Sequence, residues 1–259
     1  GATFQALLRN PLAEPYILGI SGGASVGAVL VLALGWTVAG SWVLPIAAFA
    51  GALVAITLVF RVATATGRAM DVRVLLLAGV VVAAFFSACI ALIFSISSAQ
   101  TVQSAVLWIM GSLAAASWQS VILTATYTLP ATVLLMRLAR PLNLMAIGEE
   151  TAHYLGADVE GVKKASLAIA ALITASGVAV AGVIGFVGLV VPHAIRLLVG
   201  SDHRALLPLS FIAGAALLTL ADIAARLVLS PTEIPIGVIT AFVGVPLFLA
   251  LLRRNLTTP

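Results

Sequence analysis

Two clusters of charge in this chain have residue types and spacings that could do chemistry. Glu149 and Glu150 head the stretch Gly148-Glu149-Glu150-Thr151-Ala152-His153-Tyr154-Leu155-Gly156, whose pattern predicts a short amphipathic helix stopped by glycine. The carboxylates fall in the first turn, where the helix dipole favours anions, and Gly156 can take the left-handed conformation that ends a helix. The chemistry on offer is recognition: a projecting helix fits a groove on a partner, and a solvated surface loop is the plainer alternative. Asp222 and Arg226 stand four residues apart on one helix face, with Glu233 close enough in sequence to compete for the arginine. Either that pair satisfies only itself, or Arg226 is an exposed cation that steers an acidic partner and sets its register.

Metal and nucleophilic chemistry find less support. His153, His193 and His203 show no ligand spacing, and no His-Glu-x-x-His run or Cys/His cluster exists. Cys89 is alone, so neither a metal site nor a disulfide is expected within one chain, and no cofactor is implied. Gly19-Ile20-Ser21-Gly22 resembles the Gly-x-Ser-Gly of rhomboid-like intramembrane serine proteases, with His193 at a similar depth on another apolar run. Four residues mean little in a chain with 22 glycines, and His193 lacks the small-residue face that family places after its histidine. Pro192, His193 and Arg196 read as structural, Arg196 snorkelling to the interface and His193 bonding a neighbouring helix.

The elements that must position these residues are almost wholly apolar. With 62% hydrophobic and 8% charged residues and a mean hydropathy of +1.21, the 259 residues have too little polar surface for a soluble globule. Apolar runs at about 16–35, 43–60, 74–97, 118–136, 166–182, 183–199, 206–229 and 236–252 predict eight transmembrane helices of about 17–25 residues. Twelve of the 13 cations then fall on one side, which the positive-inside rule makes cytoplasmic, with both chain ends there; only Arg226 approaches the other face. The net charge of +4 suits loops beside anionic lipid headgroups, and no basic run with interleaved aromatics points to nucleic acid.

Local signals sharpen this layout. Pro11 and Pro15 force a rigid turn in the first cytoplasmic gap, and Gly19, Gly23 and Gly27 follow at i, i+4 and i+8 as a helix-packing seam. The gap at 98–117 falls on the outer side, and Gln100, Gln103, Trp108 and Trp118 suit a short interfacial helix with aromatic anchors there. Residues 181–185 predict an outer turn between two spans. The chain opens with Gly1 and with residues that read as the last turns of a helix, so a preceding segment is expected.

Several of these stretches together resemble a known family. Arg9-Asn10-Pro11-Leu12-Ala13-Glu14-Pro15 through Ala24, Gly148-Glu149-Glu150 to Leu155-Gly156, Gly185-Phe186-Val187-Gly188 through Pro192-His193 to Arg196, Asp202-His203-Arg204, Ala221-Asp222 to Arg226, and Glu233-Ile234-Pro235-Ile236-Gly237 closely resemble the permease subunits of iron-siderophore, haem and cobalamin ABC importers. The resemblance covers nearly the whole chain. It implies an all-α transmembrane bundle of ten helices per full-length subunit, of which eight complete spans are present in one domain over 1–259, truncated at its N-terminus, with a cytoplasmic coupling segment at 141–165. It implies a pore made with a second permease subunit, identical or paralogous, in the bacterial inner membrane, two ATPase subunits below and a substrate-binding protein above. No bond-making residue is implied in the permease itself. Residue by residue, Gly148, Glu149, Glu150, Ala152, Leu155 and Gly156 resemble the coupling helix that enters the ATPase. Arg226 resembles the outer arginine that docks the binding protein, with Glu233 beside it. The loop Gly67-Arg68-Ala69-Met70-Asp71-Val72-Arg73 corresponds to the connection near the cytoplasmic gate, which places Met70, Asp71 and Val72 there. An ion-coupled secondary transporter is the rival reading, and it would want carboxylates at mid-bilayer, a description only Asp222 comes near.

Overall fold

Hydrocarbon offers no hydrogen bonds, so apolar runs of this length must satisfy their own backbone as helices. The computed structural model describes residues 1–40, 42–65 and 70–257, and the described residues are helical and otherwise irregular. The helices are α1 (Ala2–Leu7), α2 (Ile20–Ala33), α3 (Val43–Thr64), α4 (Val72–Ile96), α5 (Ala99–Ile109), α6 (Trp118–Arg137), α7 (Ala139–Ile147), α8 (Glu149–Tyr154), α9 (Val159–Ala181), α10 (Val187–Val199), α11 (His203–Leu227) and α12 (Ile236–Thr257). Single 3-10 turns occupy Pro15–Leu18 and Trp36–Ala39. Gly67, Arg68 and Ala69 of the expected gate loop lie outside the described residues.

The expectation of eight full spans is met in part. Five helices, α3, α4, α6, α9 and α11, are long and apolar enough to cross a membrane, while α2, α10 and the Ile236–Leu249 part of α12 are shorter apolar helices. At 1.5 Å per residue, the 14 residues of α2 and the 13 of α10 each cover only about 20 Å of a hydrocarbon layer about 30 Å thick. The causes are local. The two prolines and the left-handed Gly19 (φ 71°) postpone the start of α2. Beyond Ala181, residues 182–186 are not helical, and Phe186 (φ 66°) begins α10 from a conformation that side chains rarely adopt. A hydropathy window averages over both interruptions.

α9 is the central column. Within its apolar window 44% of residues are inside the protein, against 17–22% for the other four long helices, and α1, α2, α3 and α6 pack around it. A second group, α10, α11 and α12, closes on a smaller apolar cluster of Ala221, Ala225 and Ile236, and reaches the first group through α1, α6 and α7. At one end the groups are stitched by backbone: the Ile236 N–H donates to Gly111 O at 3.1 Å, Gly237 N–H to Met110 O at 3.1 Å, and Ser112 N–H to Ala181 O at 2.9 Å. α1 and α10 are joined by side chains, because Arg196 donates to Gln5 Oε1 at 3.0 Å. Arg196 is thus half-buried against α1, where a snorkelling side chain had been expected.

The expected glycine seam divides between two neighbours. Gly23 and Gly27 face α3, where a Cβ would fall 2.3 Å from Gly51 O and 2.1 Å from Ala47 O respectively, whereas Gly19 turns toward Ala83 of α4. The partner of Gly23 is itself a glycine, and a Cβ at Gly51 would lie 2.1 Å from Gly23 O. Two backbones this close leave no side chain to give way. Gly51→Val should therefore destabilise the full-length protein by about 1–3 kcal/mol through overpacking. Gly177→Ala, with nothing within 4 Å of the added Cβ and alanine the better helix former, should leave the melting temperature in detergent unchanged or raise it.

Candidate functional site

Charge concentrates at the end of the molecule where α4 and α9 begin. The chain leaves α7 at Gly148, makes the six-residue α8, and turns through the left-handed Gly156 (φ 84°) into α9, whose N-cap Asp158 accepts the Gly161 N–H at 3.0 Å. One face of α8 points inward: Ala152 is fully buried, and the Glu149 carboxylate meets the Lys163 ammonium at 2.5 Å and Arg9 at 3.4 Å. The other face, with Glu150, Tyr154 and Leu155, is exposed, Tyr154 by 87%. The residues from Gly148 to Gly156 therefore divide into an anchoring set and a projecting set.

Lys163 joins this helix to the expected gate. It is buried, yet its Nζ donates to Met70 O at 3.0 Å as well as to Glu149 Oε2, and stands 3.6 Å from Glu160 Oε1. Glu160 in turn accepts the Met70 N–H with both carboxylate oxygens at 3.1 Å. Met70 is buried, and next to it Asp71 caps α4 by accepting the Arg73 N–H at 2.7 Å; Val72 is the first residue of α4 and half-buried. Sequence reasoning named α8 and Met70 separately and missed the residues between them. The apolar run begins only near residue 166, which places Lys163 outside the span. The available signal was the i, i+3 spacing of Glu160 and Lys163 on a helix that begins at Val159.

α7 is held on its opposite flank. Asn143 Nδ2 donates to Asp202 Oδ1 at 2.7 Å, and its Oδ1 accepts the His203 backbone N–H at 2.9 Å and faces His203 Nδ1 at 2.6 Å. Bonds from the Arg204 N–H and from Asn143 hold the exposed Asp202 carboxyl below its usual pKa. α11 runs from this contact to Arg226, which is 23 residues and about 34 Å away along the helix. There Arg226 Nε meets Asp222 Oδ2 at 3.0 Å and Arg226 Nη1 meets Glu233 Oε1 at 3.9 Å, all partly exposed. The cluster around α8 and the Arg226 group thus occupy opposite ends of the bundle.

Glu14 is a further residue that sequence reasoning misplaced. The two-proline segment had been assigned to a cytoplasmic turn, but Glu14 Oε1 accepts the Phe186 N–H at 2.6 Å, at the start of α10. A Cβ at Gly244 would touch Phe186, and Gly244 lies eight residues, about 12 Å, inside the first residue of α12. The segment therefore reaches into the bundle, and its carboxylate accepts the N–H of the residue that precedes the first turn of α10.

A helical membrane bundle with a projecting acidic helix at one end and a docking-sized charge group at the other has the makings of a transport permease. The chain belongs to the FecCD transport family, whose model matches residues 1–254. It is 45% identical over 257 residues to an uncharacterised ABC transporter permease protein, YvrB, of Bacillus subtilis strain 168, covering 98% of this chain and 72% of the relative. It is 44% identical over 253 residues to the cobalamin import system permease protein BtuC of Halobacterium salinarum, covering 98% and 67%. Among solved structures it matches, with a TM-score of 0.89, 32% identity and coverage of 97% and 79%, an inward-facing conformation of a transporter assigned to the metal-chelate ABC type. It is accordingly a multi-pass membrane protein of the ABC-transporter permease class, a non-catalytic subunit.

Asn143→Ala should leave His203 and Asp202 without their side-chain partner. The expected cost is about 1–3 kcal/mol, read as a lower melting temperature of the full-length permease.

Proposed function

We propose that α8 is the element through which two ATPase subunits drive this permease. On this reading the chain forms a pore with a second permease subunit, identical or paralogous, in the bacterial cytoplasmic membrane, and passes a bulky metal chelate, an iron(III)-siderophore or alternatively haem or cobalamin, to the cytoplasm. The observation that carries the reading is the division of α8 into two faces. Glu149 ties it to α9 and Ala152 is buried, while Glu150, Tyr154 and Leu155 project outward. An anchored helix with a free amphipathic face is what a groove on a partner requires.

The Arg226 group, at the far end, is the counterpart that receives the binding protein. Arg226 is balanced by Asp222 and Glu233 in the free permease, so a partner carboxylate would compete with Glu233, the longer of the two contacts. ATP-driven closure of the nucleotide-binding subunits would bring the two α8 helices together and tilt the bundles, exposing the pathway alternately to each side. Such a shift requires only that the partners bind the two states unequally. The binding protein selects the chelate, and the pathway stays weakly interacting so that the cargo can leave.

Two measurements on the full-length permease test this. Leu155→Asp combined with Glu150→Lys should weaken ATPase binding by at least about a hundredfold, as hot-spot residues in a docking groove do, without lowering the melting temperature. Arg226→Glu should slow association of the binding protein by roughly tenfold at low salt, a difference that shrinks as salt rises.

A further inference from the structure

Besides its chain connections to α7 and α9, α8 has a second tie to the bundle. The Lys163 ammonium has three protons and three oxygens around it: Glu149 Oε2 on α8, Met70 O just ahead of α4, and Glu160 Oε1 on its own helix. Met70 is gripped from both sides, its carbonyl by Lys163 and its N–H by Glu160. Farther along, α4 packs on α2, α3 and the turn at Pro15–Leu18, so the bonds to Met70 act at its start.

We propose that Lys163 is the positioning residue that couples displacement of α8 to release of the start of α4. The inference rests on the reading of α8 as the ATPase-driven element. When α8 is drawn away from α9, the Lys163 ammonium must choose between its partners. A buried ammonium keeps its carboxylates, because charge-assisted bonds are stronger than those to a neutral carbonyl and an unpaired buried charge is costly. Its four-carbon stem is flexible enough to follow Glu149, and the bond it gives up is the one to Met70 O. α4 then loses the hold on the peptide before its N-cap at the moment the ATPase acts. A lysine here links two elements in one arrangement and frees one of them in the other, which an apolar residue in the same space could not do.

The test uses the full-length permease assembled with its ATPases and binding protein in proteoliposomes, with ATP hydrolysis and substrate uptake measured together. Lys163→Met should leave the complex assembled and hydrolysing ATP while the ATP consumed per molecule transported rises about tenfold, and Lys163→Arg should restore most of the coupling. Glu160→Gln, which keeps the ammonium paired with Glu149 but weakens the grip on Met70, should uncouple in the same sense by a smaller factor and serves if Lys163→Met does not assemble. Wild-type stoichiometry in Lys163→Met, or in Glu160→Gln if Lys163→Met does not assemble, would overturn the inference while leaving the role of α8 intact. Failure of the wild-type permease to bind an ATPase would instead remove the reading on which the inference rests.

Discussion

Inside a bilayer every backbone polar group and every charge must find its partner within the protein, and the arrangement of this molecule follows from that requirement. Most charged side chains gather at the two ends of the bundle, where they become available to partners, while Glu14 lies inside it. Where the helices are interrupted within the layer, the exposed backbone is taken up by neighbours: Glu14 accepts the Phe186 N–H, and the carbonyls of Met110 and Gly111 receive the first amides of α12. Lys163 is buried only because two carboxylates and a carbonyl surround its ammonium.

The same requirement makes the bundle a device that can transmit motion. α9 supplies a buried column, with Lys163 and Glu160 in its first two turns. α11 is a rod about 34 Å long between the Asn143 contact and Arg226, so the two charged ends are mechanically connected through packed helices. α8 is attached to this frame by one buried alanine and one carboxylate and offers its remaining face outward. Close backbone approach, as between Gly23 and Gly51, lets adjacent helices tilt as units, since a packed interface shifts as a whole and does not deform continuously.

Much of this was legible in the sequence wherever the signal was local. The stretch from Gly148 to Gly156 carries its own start and stop, so α8 could be read from nine residues, as could α5 from its polar and tryptophan pattern. The short helices were not legible, because an apolar run looks the same whether or not the chain is helical along all of it; 16–35 hides a 3-10 turn and a left-handed glycine, and 183–199 hides four non-helical residues. Glu14 was misplaced for the same reason, since prolines mark a turn without saying how deep it lies. The joint at Lys163 was invisible because it unites residues 70, 149 and 163, whose proximity is a product of α4, α8 and α9 packing. Charge alone placed Lys163 with the loop cations, and only burial distinguishes it from them.

The central claim is that the α8 cluster and the Arg226 group face opposite sides of the membrane, with α8 in the cytosol. Single cysteines at Tyr154 and Thr232, introduced into the full-length permease with Cys89 replaced, can be probed in intact cells with a membrane-impermeant maleimide. The account predicts labelling at position 232 in intact cells and at position 154 only after the membrane is opened. Labelling of position 154 from outside would contradict it.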